Sequence, residues 1–140
     1  MSEPPAVLFV CVRNRGKSQL AAALARALAG DAVEVHSAGT QPGGEVNELC
    51  VQVLAEVGID IGTEAPKPID PALLRRVDHV VTLGREARVD PVPGANVVNW
   101  DTDEPSERGI EGIDRMRLVR DDIDRRVRGL LAELGVPPRR

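Results

Sequence analysis

Aromatic side chains are almost missing: one Trp, one Phe and no Tyr in 140 residues. The hydrophobic fraction of 42% still supports one core, which must then be built from Val, Leu, Ile and Ala. Cysteine is scarce too. Two, Cys11 and Cys50, are too few for a disulfide framework or a structural zinc site, so each is either a reactive group or a small core residue. No apolar run approaches the ~20 residues that cross a bilayer, and Met1 to Pro5 has no basic segment ahead of an apolar stretch, so no signal peptide is expected. A cytoplasmic protein that enters no membrane is the expectation. The net charge of −4 argues against a general nucleic-acid binder. Repeats, low-complexity tracts and linkers are absent, and the length suits one domain, 1–140.

What the chain does have is alternation. Ala6 to Val12 is a continuous apolar run, the pattern of a strand buried on both faces. Ser18 to Ala29 reads as a helix, with Leu20, Leu24 and Leu28 repeating every four residues and Gly30 as its stop. Ala32 to His36 reads as a second strand closed by a turn, Ser37-Ala38-Gly39-Thr40. Helix is expected over 47–57 and 72–77, strand over 79–83 and 96–99, and loop around Pro91 and Pro93 and over 101–112. The last helix, about 113–134, carries Met116, Val119, Ile123, Val127, Leu130 and Leu134 on one face. Alternating strands and helices imply an α/β fold with a parallel sheet, right-handed crossovers and ligands bound beyond the strands' carboxyl ends.

The first such end is Cys11-Val12-Arg13-Asn14-Arg15-Gly16-Lys17-Ser18. A loop between a strand and a helix start turns backbone N–H groups inward and makes an anion site. Arg13, Arg15 and Lys17 add positive charge to it. There a cysteine is favoured as the thiolate, its reactive form. Ser18 is placed to donate to the sulfur and Asn14 to brace the loop. A lone cysteine after a strand would ordinarily be an inert core residue, but three cations and a Gly-Lys-Ser helix entry point to function. The same Gly16-Lys17-Ser18 also fits the end of a nucleotide P-loop, with Cys11 in the place of its first glycine, where a Cβ removes needed backbone freedom.

At these residues the sequence resembles the low-molecular-weight protein tyrosine phosphatases and the arsenate reductases that share their fold. That family opens with a strand and then Cys, five residues, Arg, Ser. Here the series is Cys11, five residues, Lys17, Ser18, with Asn14 at the family's Asn position. Ser37-Ala38-Gly39-Thr40 matches a second signature, and Trp100-Asp101-Thr102-Asp103-Glu104-Pro105 resembles the acid loop of the reductases, with Glu104 aligned to the acid and Asp103 beside it. The resemblance implies a single-domain three-layer sandwich, a four-stranded parallel sheet with helices on both faces.

Two departures bear on the subclass. Lys17 stands where the family has arginine, and a point charge cannot clamp an oxyanion through two parallel N–H groups. Thioredoxin-coupled reductases carry two relay cysteines after the third strand; here those positions are Gly84 and Asp90. Both departures, with Lys17-Ser18-Gln19, Ala55-Glu56-Val57-Gly58 and Met116-Arg117-Leu118-Val119-Arg120-Asp121, resemble the actinobacterial arsenate–mycothiol transferases. That likeness implies Cys11 attacking arsenate held by the 12–18 loop, which would also hold phosphate or sulfate. Glu104 or Asp103 would act as acid, mycothiol as co-substrate and a mycoredoxin-like protein as final reductant, with no bound cofactor or metal. A phosphatase, or a non-enzymatic oxyanion binder or redox sensor, remains open. Cys50 reads as a core residue, the alternative being a resolving thiol; His36 and His79 read as structural, and Trp100 as a cap on the core.

Overall fold

All six residues of β1 (Ala6–Cys11) are buried, as its place inside the sheet requires. The computed structural model describes residues 3–90 and 93–138; Pro91 lies outside the described residues. With β2 (Glu34–Gly39), β3 (His79–Leu83) and β4 (Asn96–Trp100), β1 forms one parallel four-stranded sheet in the order β2-β1-β3-β4. Strand side chains alternate between faces. Val7, Phe9, Val81 and Leu83 meet α1 (Lys17–Ala29), α2 (Glu48–Ala55) and α4 (Gly112–Glu133) in one core; Leu8, Val10, Ala38 and Val80 meet the α3 (Pro71–Arg76) side in another. The fold is the expected α/β sandwich of helices on both sheet faces.

Local chemistry explains each helix. In α1, Ala21, Ala22, Ala23 and Ala25 fill the spaces around Leu20, Leu24 and Leu28, letting the helix lie close to the sheet. Each fully buried Leu contributes about 1.5–3 kcal/mol. The Asn47 side chain accepts from Leu49 N–H and the Asp70 side chain from Ala72 N–H, capping α2 and α3. α4 buries Met116, Val119, Ile123, Val127 and Leu130, while its wet face holds ion pairs such as Arg128–Asp124 and Arg117–Asp114. No helix among the described residues is long and apolar enough to cross a membrane. Trp100 packs tilted against Phe9, ring centroids 5.8 Å apart, and so caps the main core.

Several boundaries differ from expectation, most by one residue and the following by more. Residues 30–32 form a short 3-10 turn, so the second strand starts at Glu34 and then runs on through Gly39 rather than turning after His36. The reason is pairing: Ala38 and Gly39 complete the ladder with Val10 and Cys11. α2 begins after its cap at Asn47 and ends at Ala55, and the 101–112 loop contains a 3-10 turn, Pro105–Arg108. From β1 the chain crosses to β2 on one side, while β3 lies on the other. The loops leaving β1 and β3 therefore part at the carboxyl edge and open a crevice there.

A candidate active site at the end of the first strand

β1 delivers Cys11 to that crevice, and α1 begins six residues on with Gly16 at its N-cap, where no side chain caps the helix. The first helical bond runs from Leu20 N–H to Gly16 C=O, so the N–H groups of Lys17, Ser18 and Gln19 have no helical acceptor. The loop's carbonyls face outward instead: Cys11, Val12 and Arg15 C=O accept from Thr40, Gln41 and Asn47 N–H at 3.1, 2.8 and 2.8 Å. At the centre, Cys11 Sγ meets Asn14 N–H at 3.2 Å and Ser18 Oγ at 2.9 Å. Asn14 holds a positive φ of 56°, a left-handed conformation that Asn tolerates better than most residues. Free N–H groups, a helix start and a sulfur met by a backbone N–H and a hydroxyl make a cradle for a tetrahedral anion with a nucleophile at its floor.

A cavity of about 390 Å³ lies above Cys11, Val12 and Lys17. Leu83 to Ala87, following β3, form a second wall, and Glu104, Ser106 and Glu107 a third. Gly84, at φ 89°, lets this wall come close to Lys17: a Cβ there would lie 3.4 Å from Lys17 Nζ. Lys17 Nζ contacts the Glu104 carboxylate directly, and Arg115 reaches the other oxygen of Glu104 at 3.5 Å.

Some expected site residues lie elsewhere. Asp103 does not line the cavity; its carboxylate is clamped by the Arg108 guanidinium at 2.7 and 3.1 Å, which holds it below the usual carboxylate range. Its backbone N–H donates to the buried Asp122 of α4 at 2.9 Å, fixing the loop so that Glu104 alone of the two acids faces Lys17. Arg13 and Arg15 contribute backbone only: both side chains are exposed and donate to the Gln41 and Glu45 carbonyls at 3.5 and 2.6 Å. The cradle's side-chain cation is therefore Lys17. Asp101 pairs with Arg85 at 2.9 Å on the rim.

Cys50 is fully buried, with Sγ 3.8 Å from Gly16 C=O behind the loop. Burial first, and the nearby Cys11 second, push its thiol up to about 12, so it stays protonated at neutral pH. His36 is 2.7 Å from Glu34, which Arg76 also holds at 2.6 Å; the Arg76 and His36 hydrogen bonds bring Glu34 down to about 2. His79 opens β3, at the far end of the strand from Leu83 and the cavity. Among the described residues, no three His, Cys, Asp or Glu side chains are grouped to hold a metal.

Sequence reasoning missed the wall at 83–87, Ser106, Glu107 and the backbone of Lys67, which tertiary packing brings in with no local signal. Gly39 and Gln19 stood in stretches that carried the resemblance, but their support of the loop was not read from them.

Residues 6–137 match the family model described as low molecular weight phosphotyrosine protein phosphatase. An arsenate reductase of Halalkalibacterium halodurans is 37% identical over 137 residues, covering 92% of this chain and 96% of that protein. Among solved structures, a Corynebacterium glutamicum thioredoxin-dependent arsenate reductase superposes with a TM-score of 0.81 at 36% identity; the match covers 96% of this chain but only 63% of that one. An arsenate reductase in the phosphate binding state gives a TM-score of 0.80 at 28% identity, covering 93% and 98%.

Proposed function

The chain belongs to the low molecular weight phosphotyrosine protein phosphatase family, and we propose that it is an arsenate reductase whose Cys11 passes arsenic to mycothiol. The observation that carries this reading is Cys11 Sγ, met by the Ser18 hydroxyl and the Asn14 N–H, at the floor of a cavity where Lys17 is the cation of the 11–18 loop and Arg85 stands on the facing wall. Lys17 offers no two-pronged clamp for a phosphate ester, and no aromatic side chain lines the cavity among the described residues, which disfavours a phosphotyrosine ring. The solved arsenate reductase in its phosphate binding state supports a tetrahedral oxyanion in such a cradle.

Arsenate binds with its oxygens on the loop N–H groups and Lys17. The Cys11 thiolate forms a bond to arsenic; one oxygen departs, protonated, as water, and arsenic remains pentavalent. Glu104, against Lys17, is the acid positioned to supply that proton, acting from its protonated carboxyl form. A mycothiol thiolate then bonds to arsenic and Cys11 leaves as thiolate. Attack by a mycoredoxin-like thiol on the mycothiol sulfur leaves the S–As electron pair on arsenic, giving arsenite and a mixed disulfide. No internal thiol serves: Cys50 is buried and protonated. A cytoplasmic location, where such thiols are kept reduced, goes with this reading.

Glu104→Gln should slow arsenate turnover at saturating thiol by about 10²-fold, the scale of one general acid. Asp103→Asn, whose carboxyl is tied to Arg108, should stay within about twofold; the reverse ranking would move the acid's role to Asp103.

The thioredoxin dependence of the Corynebacterium relative favours a second reading, thioredoxin as the reductant. NADPH consumption with arsenate, mycothiol and mycoredoxin, against thioredoxin and its reductase, separates the two. Turnover with mycothiol alone upholds the transferase; turnover with thioredoxin alone refutes it, and makes Cys50 the resolving thiol.

A further inference from the structure

Gln19, in the first turn of α1, is polar and yet only 2% exposed. Its amide nitrogen lies 3.2 Å from Asn14 C=O, 3.2 Å from Asn14 Oδ1 and 3.4 Å from Ala65 C=O. The same Asn14 Oδ1 accepts Lys67 N–H at 3.0 Å. A backbone N–H can only donate, so the Asn14 atom facing it is the oxygen. The amide nitrogen of Asn14 then faces Ser18 Oγ, at 2.6 Å. Ser18 is thus an acceptor toward Asn14, which leaves its single hydrogen for Cys11 Sγ, 2.9 Å away.

We propose that Gln19 is a positioning residue for the reaction at Cys11: it locks the Asn14 amide in the orientation that makes Ser18 a donor to the sulfur. Were that amide to turn over, Oδ1 would face Ser18, the hydroxyl would donate to it, and the sulfur would keep only the Asn14 N–H. Gln19 and Lys67 N–H hold Oδ1 from two directions, and Gln19 also steadies the carbonyl of the left-handed Asn14. Gln19 touches neither sulfur nor substrate; it acts through two intermediaries. The inference rests on Cys11 being the nucleophile of the proposed reaction.

Alkylation of Cys11 by iodoacetamide at fixed neutral pH tests it, with Cys50 buried and protonated. Gln19→Met, which keeps length and removes the donors, should slow alkylation roughly three- to tenfold, one lost hydrogen bond's worth, and reduce the ultraviolet absorbance of the thiolate. Ser18→Ala should slow it to a similar extent, and adding Gln19→Met to Ser18→Ala should cost nothing more, because both remove the same donor. Gln19→Glu, similar in size but presenting acceptors, should react as slowly as Gln19→Met and stands in for it if the Met variant does not fold. Wild-type alkylation rates in the folded variants, or losses that simply multiply in the double variant, overturn the proposal. The probe requires neither arsenate nor mycothiol. A Gln19 effect without arsenate turnover supports the relay and counts only against the arsenate assignment.

Discussion

Replacing Cys11 by Ser should eliminate arsenate turnover, by a factor of roughly 10⁴ or more, in a protein that is expected to stay folded and to keep its oxyanion binding. The size follows from the role: removing a covalent nucleophile costs on the order of 10⁴–10⁶ in enzymes of this kind, since a hydroxyl is not ionised at neutral pH. The retained binding follows from the geometry. The loop's N–H groups, the α1 terminus and Lys17 are untouched by the exchange of sulfur for oxygen, and the donors at Ser18 Oγ and Asn14 N–H keep an acceptor in place. The coupled assay reads the first quantity and calorimetric titration with arsenate or phosphate the second. Residual turnover near the wild-type rate would remove Cys11 from the chemistry. An unaltered anion affinity in a protein whose wild type never turns over would make it an oxyanion binder instead.

Gly39→Ala should damage both stability and rate without touching a reacting atom. A Cβ at Gly39 would sit 2.7 Å from Val12 C=O, 3.0 Å from the Arg13 carbonyl carbon and 3.1 Å from Asn14 Cβ. Two of the three are main chain of the cradle, so no rotamer change clears the space. Either β2 moves off β1, where Gly39 pairs with Cys11, or the loop shifts over the sulfur. Overpacking of this kind costs about 1–3 kcal/mol of stability, and a displacement near 1 Å at the cradle costs about 10²-fold in rate. Urea unfolding and the coupled assay measure the two. Wild-type values in both would mean the loop is not seated on β2 as described.

The legibility of this chain divides by range. Helix α4 was readable because the spacing of Met116, Val119, Ile123, Val127 and Leu130 is a local property, and the Cys11–Ser18 loop because its composition is concentrated in eight residues. Ser37-Ala38-Gly39 looked like a turn because small residues carry turn signals, yet their ladder partners Phe9, Val10 and Cys11 decide their conformation. The side chains of Asp103 and Glu104, adjacent in sequence, take opposite directions through Arg108, Asp122 and Lys17, partners that no local pattern announces. Counting Arg13 and Arg15 as cradle charge failed for the same reason: a sequence gives the number of cations, while the path of the 41–45 segment decides where they point. Cys50 was the opposite case, because its apolar neighbours on α2 already described a buried thiol.

β1 pairs Val7 with His79, and the cavity above Cys11 needs walls from the stretches after β3 and β4. During synthesis, then, Cys11 is made early and its surroundings late. Pairings this distant in sequence form slowly, so the crevice around Cys11 is completed only when β3 and β4 have joined the sheet. The strand order therefore makes the site's walls the last part of it to be built, after the loop that holds the cysteine.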